Sequence, residues 1–335
     1  MSNNNIKCSV VMAAYNAEKT IDIAINSILN QTWENFEFII INDGSTDKTQ
    51  EIIESYKDSR IKLINNINNE FLPACLNKGI SASTGKYILR MDADDVSLPD
   101  RMDKQVAYME KYPNIGIAGS WFKIFGNKKS TAQYVENSDE IKIKLLYECH
   151  LLHPAIIIRK EIIDTYNLFY DESFRKNQDY ELFIRAADYI DFGNVQEILF
   201  EYCQTDQNEK RNTLNQVNNI LSLQKNLFSK LGYSINDEQL SLFKELNYQN
   251  YLSISDKSNE IHSLLENLLA ANKTSQFFNQ LKFDEYIKNL WLSFARNVVK
   301  FNAQVIEITK NSSMDFSRLE LIYFTNLLKL KRILK

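Results

Sequence analysis

The first 120 residues alternate between two hydrophobic periods. "CSVVMAA" (8–14), "FEFIIIN" (36–42), "RIKLIN" (60–65), "KYILRM" (86–91) and "IGIAGSW" (115–121) are short apolar runs rich in β-branched residues, and each predicts a strand. Between them, "TIDIAINSIL" (20–29) places Ile21, Ala24, Ile25 and Ile28 on one helical face, with Asn16 as the expected cap. "STDKTQEIIESY" (45–56) opens on capping residues. "FLPACLNKGISAS" (71–83) sets Leu72, Leu76 and Ile80 four apart, and "LPDRMDKQVAYMEKY" (98–112) starts a helix at Pro99. Strands alternating with helices predict an α/β fold with a mostly parallel sheet flanked by helices. In such sheets ligands bind beyond the carboxyl ends of the strands. The polar segments "YNAEK", "NDGSTD" and "DADD" follow three of these strands and should therefore converge.

Beyond residue 122 the pattern is mixed. "HPAIIIRKEII" (153–163) reads as a strand entering a helix, and "QDYELFIRAADY" (178–189) reads as a helix. After about 205 the stretches "TLNQVNNILSLQKNLFSKL", "DEQLSLFKELNYQNYL", "EIHSLLENLLAAN" and "DEYIKNLWLSFARNVVKF" are amphipathic at helical spacing, and no Pro follows Pro154. The expected organisation is an α/β domain over 1–205 and an all-helical region over 206–335.

Composition narrows the function classes. Of 335 residues, 44% are hydrophobic and 24% charged, the balance of a soluble globular protein. The formal net charge of −4 gives no reason to expect nucleic acid as a partner. Cys8, Cys75, Cys149 and Cys203 form no C-x-x-C pair, which fits a reducing compartment. The N-terminus lacks the features of a signal peptide, and no run approaches the ~20 apolar residues of a membrane span. A cytoplasmic location is expected.

Several motifs fail. No G-x-G-x-x-G follows a strand, and "SASTGKY" has Ile80 and Tyr87 where a Walker A loop needs Gly and Ser or Thr. There is no G-x-S-x-G and no H-E-x-x-H, and the chain holds only His150, His153 and His262. What remains is the acidic turn "DADD": Asp92, Asp94 and Asp95 directly after an apolar strand. Such a cluster suits Mg2+ or Mn2+, which take carboxylates together with substrate phosphates. The competing reading is a solvated turn in which Asp95 or Asp100 caps the next helix.

Taken together, "SVVMAAYNAEKTIDIAINSILNQTWENFEFIIINDGSTDKT" and "LNKGISASTGKYILRMDADD" resemble the N-terminal half of the family 2 inverting glycosyltransferases of the GT-A fold. The resemblance is dense over 7–120, looser to about 205, and absent from the tail. It implies a nucleotide-sugar-binding half over 1–120 and an acceptor-binding half over 121–205. It also implies a UDP-sugar donor, a glycan or lipid-linked glycan acceptor of the bacterial surface-polysaccharide type, and a divalent metal. Residue by residue, it implies that Ala14 and Tyr15 edge the base, that Asp43 accepts from the uracil ring, and that Asn77 and Lys78 lie near the nucleotide. Asp92 would serve the ribose, and Asp94, with Asp95 as the close alternative, the metal. In "NQDYE", Gln178 stands where the family commonly has an acidic residue. Asp179 is the expected general base, with Glu181 the runner-up. His153 and, as an alternative to its role as base, Glu181 are expected acceptor or phosphate contacts, unless His153 is a structural hydrogen-bonder; Trp121, Phe122 and Tyr147 floor the acceptor site if they are not core.

The chain ends "LIYFTNLLKLKRILK", where Lys329, Lys331, Arg332 and Lys335 interleave with apolar residues. This reads either as peripheral contact with the cytoplasmic face of the inner membrane or as a capping helix. Two other functional readings stay open. A sugar-phosphate nucleotidyltransferase is disfavoured by the Gly-free loop "AAYNAEKT". A non-catalytic nucleotide-sugar-binding protein rests on Gln178 alone.

Overall fold

The computed structural model describes residues 7–127, 129–204, 214–299, 302 and 304–317. The chain separates into two compact units, Met1–Lys142 with Cys149–Ile220, and Ile143–Glu148 with Leu221–Lys335. The division differs from a single cut at 205, because residues 143–148 group with the helices.

The first unit opens with β1 (Cys8–Ala14), α1 (Ile21–Leu29), β2 (Phe36–Asn42), α2 (Thr49–Ser55), β3 (Ile61–Asn65), α3 (Phe71–Ala82) and β4 (Tyr87–Asp92). It continues through β5 (Val96–Ser97), α4 (Arg101–Lys111), β6 (Ile115–Gly126), β7 (Ser130–Ala132), α5 (Ser138–Lys144), β8 (Ile157–Arg159), α6 (Lys160–Tyr166), α7 (Gln178–Ala186) and β9 (Asp191–Gln204). The sheet order is β3-β2-β1-β4-β8-β6-β9-β5, with β7 on β6.

The expected parallel arrangement occupies the first half. β1 runs parallel to β2, with Cys8 opposite Phe36, and parallel to β4, with Cys8 opposite Tyr87. The second half is mixed, because the short β8 runs against both β4 and β6, while β6 and β9 are parallel. The strand order reverses between β1 and β4, since β2 lies to one side of β1 and β4 to the other. That reversal opens a crevice at the carboxyl ends of those two strands.

The apolar periods explain the layers. β1 and β2 are buried almost throughout, because helices cover both faces of the sheet. α1 buries Ile21, Ala24, Ile25 and Ile28, the face read from its spacing. These residues join Val10, Met12, Phe38, Ile40, Leu89 and Met91 in one core.

The second unit carries α8 (Leu214–Lys230) from Leu221 onward, α9 (Asp237–Asn247), α10 (Ser258–Ser275), α11 (Gln280–Val298) and α12 (Gln304–Asn311). Phe228, Phe243, Phe283, Trp291 and Phe294 are fully enclosed in it. Asn236 and Gln239 form a reciprocal capping box at the start of α9. Among the described residues, no helix is long and apolar enough to cross a membrane. The basic segment from Lys329 onward lies outside the described residues.

Candidate active site

The turns after β1 and β2 are locked together. The Asp43 N–H donates to Ala14 O at 2.8 Å. Asn16 adopts a left-handed conformation (φ 49°), and its Oδ1 accepts the Thr46 N–H at 2.8 Å. Asn16 therefore does not cap α1, which begins after Thr20 with no side-chain cap; its amide instead ties the turn after β1 to the turn after β2. Gly44 has φ +66°, and a Cβ there would lie 2.8 Å from the Asn68 backbone, so the turn requires glycine. Ala14 is buried, whereas Tyr15 presents its ring at the rim, half exposed.

Asp43 is nearly enclosed. Its Oδ1 accepts from Asn66 Nδ2 and from the Glu70 N–H, both at 2.8 Å, and its Oδ2 accepts the Phe71 N–H at 3.0 Å. It thus holds the start of α3, where backbone N–H groups lack helical partners. Lys78 reaches back to the same loop, donating to Asn66 Oδ1 at 2.8 Å and pairing with Glu70 at 2.6 Å.

Asn77 is occupied elsewhere. Its Oδ1 accepts the Tyr170 N–H at 2.9 Å, and its Nδ2 donates to Tyr170 O at 2.9 Å and to Glu172 at 3.0 Å. These bonds clamp the 170–172 segment.

The acidic turn after β4 is built rather than solvated. Ligand oxygens of Asp92, Asp94 and Asp95 lie within 4.8 Å of one another. Asp95 is 1% exposed, and its Oδ1 accepts the Cys203 N–H at 2.7 Å. Its Oδ2 is buried with no partner. Burial, then the charges of Asp92 and Asp94, push the Asp95 carboxyl well above the usual range. Neither Asp95 nor Asp100 caps α4: Asp100 makes no side-chain cap and instead pairs with Lys104 at 2.6 Å. An all-oxygen set with one orphaned buried oxygen fits a hard divalent cation.

Sequence reasoning missed the built-in cation of this turn. Arg90, on β4 and 3% exposed, donates from Nη1 to Asp92 Oδ2 at 2.7 Å and pairs through Nη2 with Asp92 Oδ1 at 2.6 Å. The signal was present: an arginine inside an apolar strand run, two residues from Asp92 and so on the same face. Behind it, the fully buried Arg101 donates to Arg90 O and Ser97 Oγ, each at 2.8 Å, and its guanidinium lies 4.8 Å from the Phe200 ring centroid. Burial, then the Arg90 cation, lowers the Arg101 pKa to about 9, so it stays charged at neutral pH.

Asp179 lies in the first turn of α7, half-buried. Burial raises its pKa above the usual carboxylate range, partly offset by a backbone hydrogen bond and by Arg90, while Asp92 adds to the rise. Asp179 thus lies in the same field as Arg90 and Asp92, though far from both in sequence.

His153 is enclosed, and its Nε2 hydrogen-bonds the Tyr170 hydroxyl at 2.8 Å. Burial, then Arg90, pushes its pKa well below the ordinary value. An enclosed imidazole bonded to Tyr170 matches the structural alternative for it. Glu181 is committed to Arg185, its two oxygens accepting at 2.9 and 2.8 Å. Trp121 donates to Tyr134 O at 3.0 Å, and Phe122 is core. Tyr147 belongs to the second unit, packed edge-on against Phe243.

The model of Glycosyl transferase family 2 matches residues 9–166. A glycosyltransferase of Methanocaldococcus jannaschii, MJ1057, is 38% identical over 205 residues, which span 58% of this chain and 69% of that protein. The UDP-Glc:alpha-D-GlcNAc-diphosphoundecaprenol beta-1,3-glucosyltransferase WfgD of Escherichia coli is 27% identical over 176 residues, 52% of this chain and 68% of WfgD. Among solved structures, S. aureus TarS 1–349 in complex with UDP-GlcNAc superposes with a TM-score of 0.60 at 14% identity, covering 93% of this chain and 94% of that one. That likeness supports a GT-A type of fold followed by a helical region.

Proposed function

The chain belongs to glycosyl transferase family 2 and is a glycosyltransferase; from that premise we propose that it moves a sugar from a UDP-sugar to a hydroxyl of a glycan or lipid-linked glycan, with inversion. The observation that carries this reading is that Asp179 feels the charges of both Arg90 and Asp92, the ion pair that opens the acidic turn of β4. Inversion by single displacement needs a base for the acceptor hydroxyl and a counter-charge for the departing diphosphate. Asp179 takes the first role, because a half-buried carboxylate with a raised pKa holds a proton more firmly than an ordinary one.

Asp94 and Asp95 would hold Mg2+ or Mn2+, which when bound supplies Lewis-acid stabilisation of the leaving group. Asp92, fixed by Arg90, faces the ribose. Tyr15 and the loop held by Asp43 border the base. The names of WfgD and of the TarS complex support a UDP-linked donor, and the WfgD name supports a polyprenyl-diphosphate-linked acceptor. Such an acceptor would put the reaction at the cytoplasmic face of the inner membrane. On the same reading, residues 315–335 would add peripheral contact with anionic lipid.

The test is a UDP-sugar panel with Mn2+, with and without a polyprenyl-diphosphate-linked sugar. Acceptor-dependent UDP release, with a product of inverted anomeric configuration by NMR, is expected. Retention of configuration, or no release with any donor, would contradict the proposal.

A further inference from the structure

Three carboxylates crowd the end of β4, yet they are not equivalent. Asp92 has both oxygens gripped by one guanidinium, at 2.7 and 2.6 Å. A planar arginine fork on a carboxylate fixes its orientation as well as its charge. The Arg90 side chain cannot swing out to follow its partner. It is almost wholly enclosed, and Arg101 holds its backbone carbonyl from behind. Asp92 is the more open partner, its side chain 28% exposed against 4% for Arg90. Asp95 differs again: one oxygen is tied to the Cys203 N–H and the other is buried and unpartnered. The Arg90 Nε is likewise buried without a partner. A buried orphan acceptor in the turn is a place where a cation is wanted, whereas Asp92 already has one.

We propose that Arg90 is a positioning residue that divides the acidic turn, holding Asp92 away from the metal for the donor's ribose and leaving Asp94 and Asp95 as the cation's protein ligands. The proposal rests on the site reading given under Proposed function and makes it specific. Arg90 acts as a standing counter-cation and as a restraint. Its removal would return one carboxylate to the turn and take one positive charge out of it. Both changes favour a divalent cation, whose affinity in oxygen sites follows ligand number and charge. A residue that merely supported the fold would have the opposite effect, because loosening the turn weakens metal binding.

The test is Mn2+ titration by calorimetry, without nucleotide, on the full chain. Wild type, Arg90→Met, Arg90→Lys, Asp94→Asn and the double variant Arg90→Met/Asp92→Asn are compared. Arg90→Met is expected to bind Mn2+ about tenfold or more tightly than wild type. The double variant should lose that gain, and Asp94→Asn should bind weakly. In assays, Arg90→Met should raise the donor KM more than it lowers kcat. If Arg90→Met fails to fold, Arg90→Lys keeps the charge but not the fork, and a several-fold tightening is expected from it. Unchanged or weaker Mn2+ binding in a folded Arg90 variant, with wild type binding normally, overturns the division of the turn and leaves the metal site standing. A wild type that ignores Mn2+ beside an Arg90→Met variant that binds it supports the restraint and overturns metal dependence of the natural reaction. Absence of Mn2+ binding in every variant overturns both.

Discussion

Asp43 accepts the backbone N–H of Phe71 through Oδ2 at 3.0 Å, and Phe71 there adopts φ +71°, a left-handed conformation uncommon for an aromatic residue. The carboxylate at the end of β2 therefore holds a strained residue at the mouth of α3. The exposed Phe71 ring in turn carries the Arg175 guanidinium 4.0 Å above it. One buried acid thus organises the loop that borders the crevice.

Asp43→Ala leaves the Asn66 amide and the Glu70 and Phe71 N–H groups without their acceptor. A loss of about 2–4 kcal/mol in unfolding free energy is expected, since buried unpaired donors cost roughly 1–3 kcal/mol each and part of the loop can reach water. If Asp43 also contacts the nucleotide base, UDP affinity measured on folded protein falls by roughly 10–100-fold, the weight of one charge-assisted hydrogen bond. Unchanged UDP affinity in calorimetry would assign Asp43 to the loop alone.

Asn77→Ala cuts the clamp on Tyr170. The 170–172 segment then loses three hydrogen bonds, two of them to backbone. Tyr170 also bonds His153, and its charge environment includes Asp179. The expected result is a fall in kcat of about tenfold or more, with UDP affinity changed less than threefold. A selective rise in the UDP dissociation constant would restore Asn77 to nucleotide binding.

The alternation of strands and helices was legible because sheet strands covered on both faces must be apolar throughout, and the covering helices must carry a stripe. The ends of β1, β2 and β4 were legible as a rim for the same reason. What escaped was long-range polar pairing. Asn16 looks like a helix cap in isolation; its partner, Thr46, is thirty residues on. Asn77 pairs with Tyr170, ninety-three residues away. β9 was not read as a strand because "DFGNVQEILFEYCQ" buries polar groups: Asn194 donates to the carbonyls of Val135 and His150 inside the unit. Arg90 is visible as an arginine in an apolar strand, but the sequence does not show that its fork closes on Asp92.

Glu37, on β2, sets a pH dependence of stability. It is enclosed, and burial alone would raise its pKa. Hydrogen bonds and ion pairs with Lys62, Ser9 and Thr84 outweigh that and bring it to about 2. A folded pKa below the unfolded one gives stability that is present above about 4.5 and lost as pH falls toward 2. The contribution is about 3 kcal/mol at most. Denaturant unfolding of wild type and Glu37→Gln should show a clear gap at pH 7 that narrows by pH 3. A gap that stays constant would exclude ionised Glu37 as its source.

Asp179 has the opposite sign. Its folded pKa is raised, so ionisation costs stability as pH climbs through that value. Asp179→Asn should therefore be as stable as wild type at pH 4 or below, and more stable at pH 7, by thermal unfolding. The mutant traces should lie below wild type at pH 7 only if the carboxylate makes a stabilising contact that its amide cannot.

The pH–rate profile of Asp179→Asn against wild type, followed as acceptor-dependent UDP release, tests the central claim most directly. In wild type the acidic limb should lie above the ordinary aspartate value of about 3.9. The variant should lose that limb and about 10²–10⁴-fold in kcat, with UDP and Mn2+ affinities nearly unchanged, because general-base catalysis contributes a factor of that size. Activity of the variant within a few-fold of wild type, with the acidic limb retained, would contradict the assignment of Asp179 as the base.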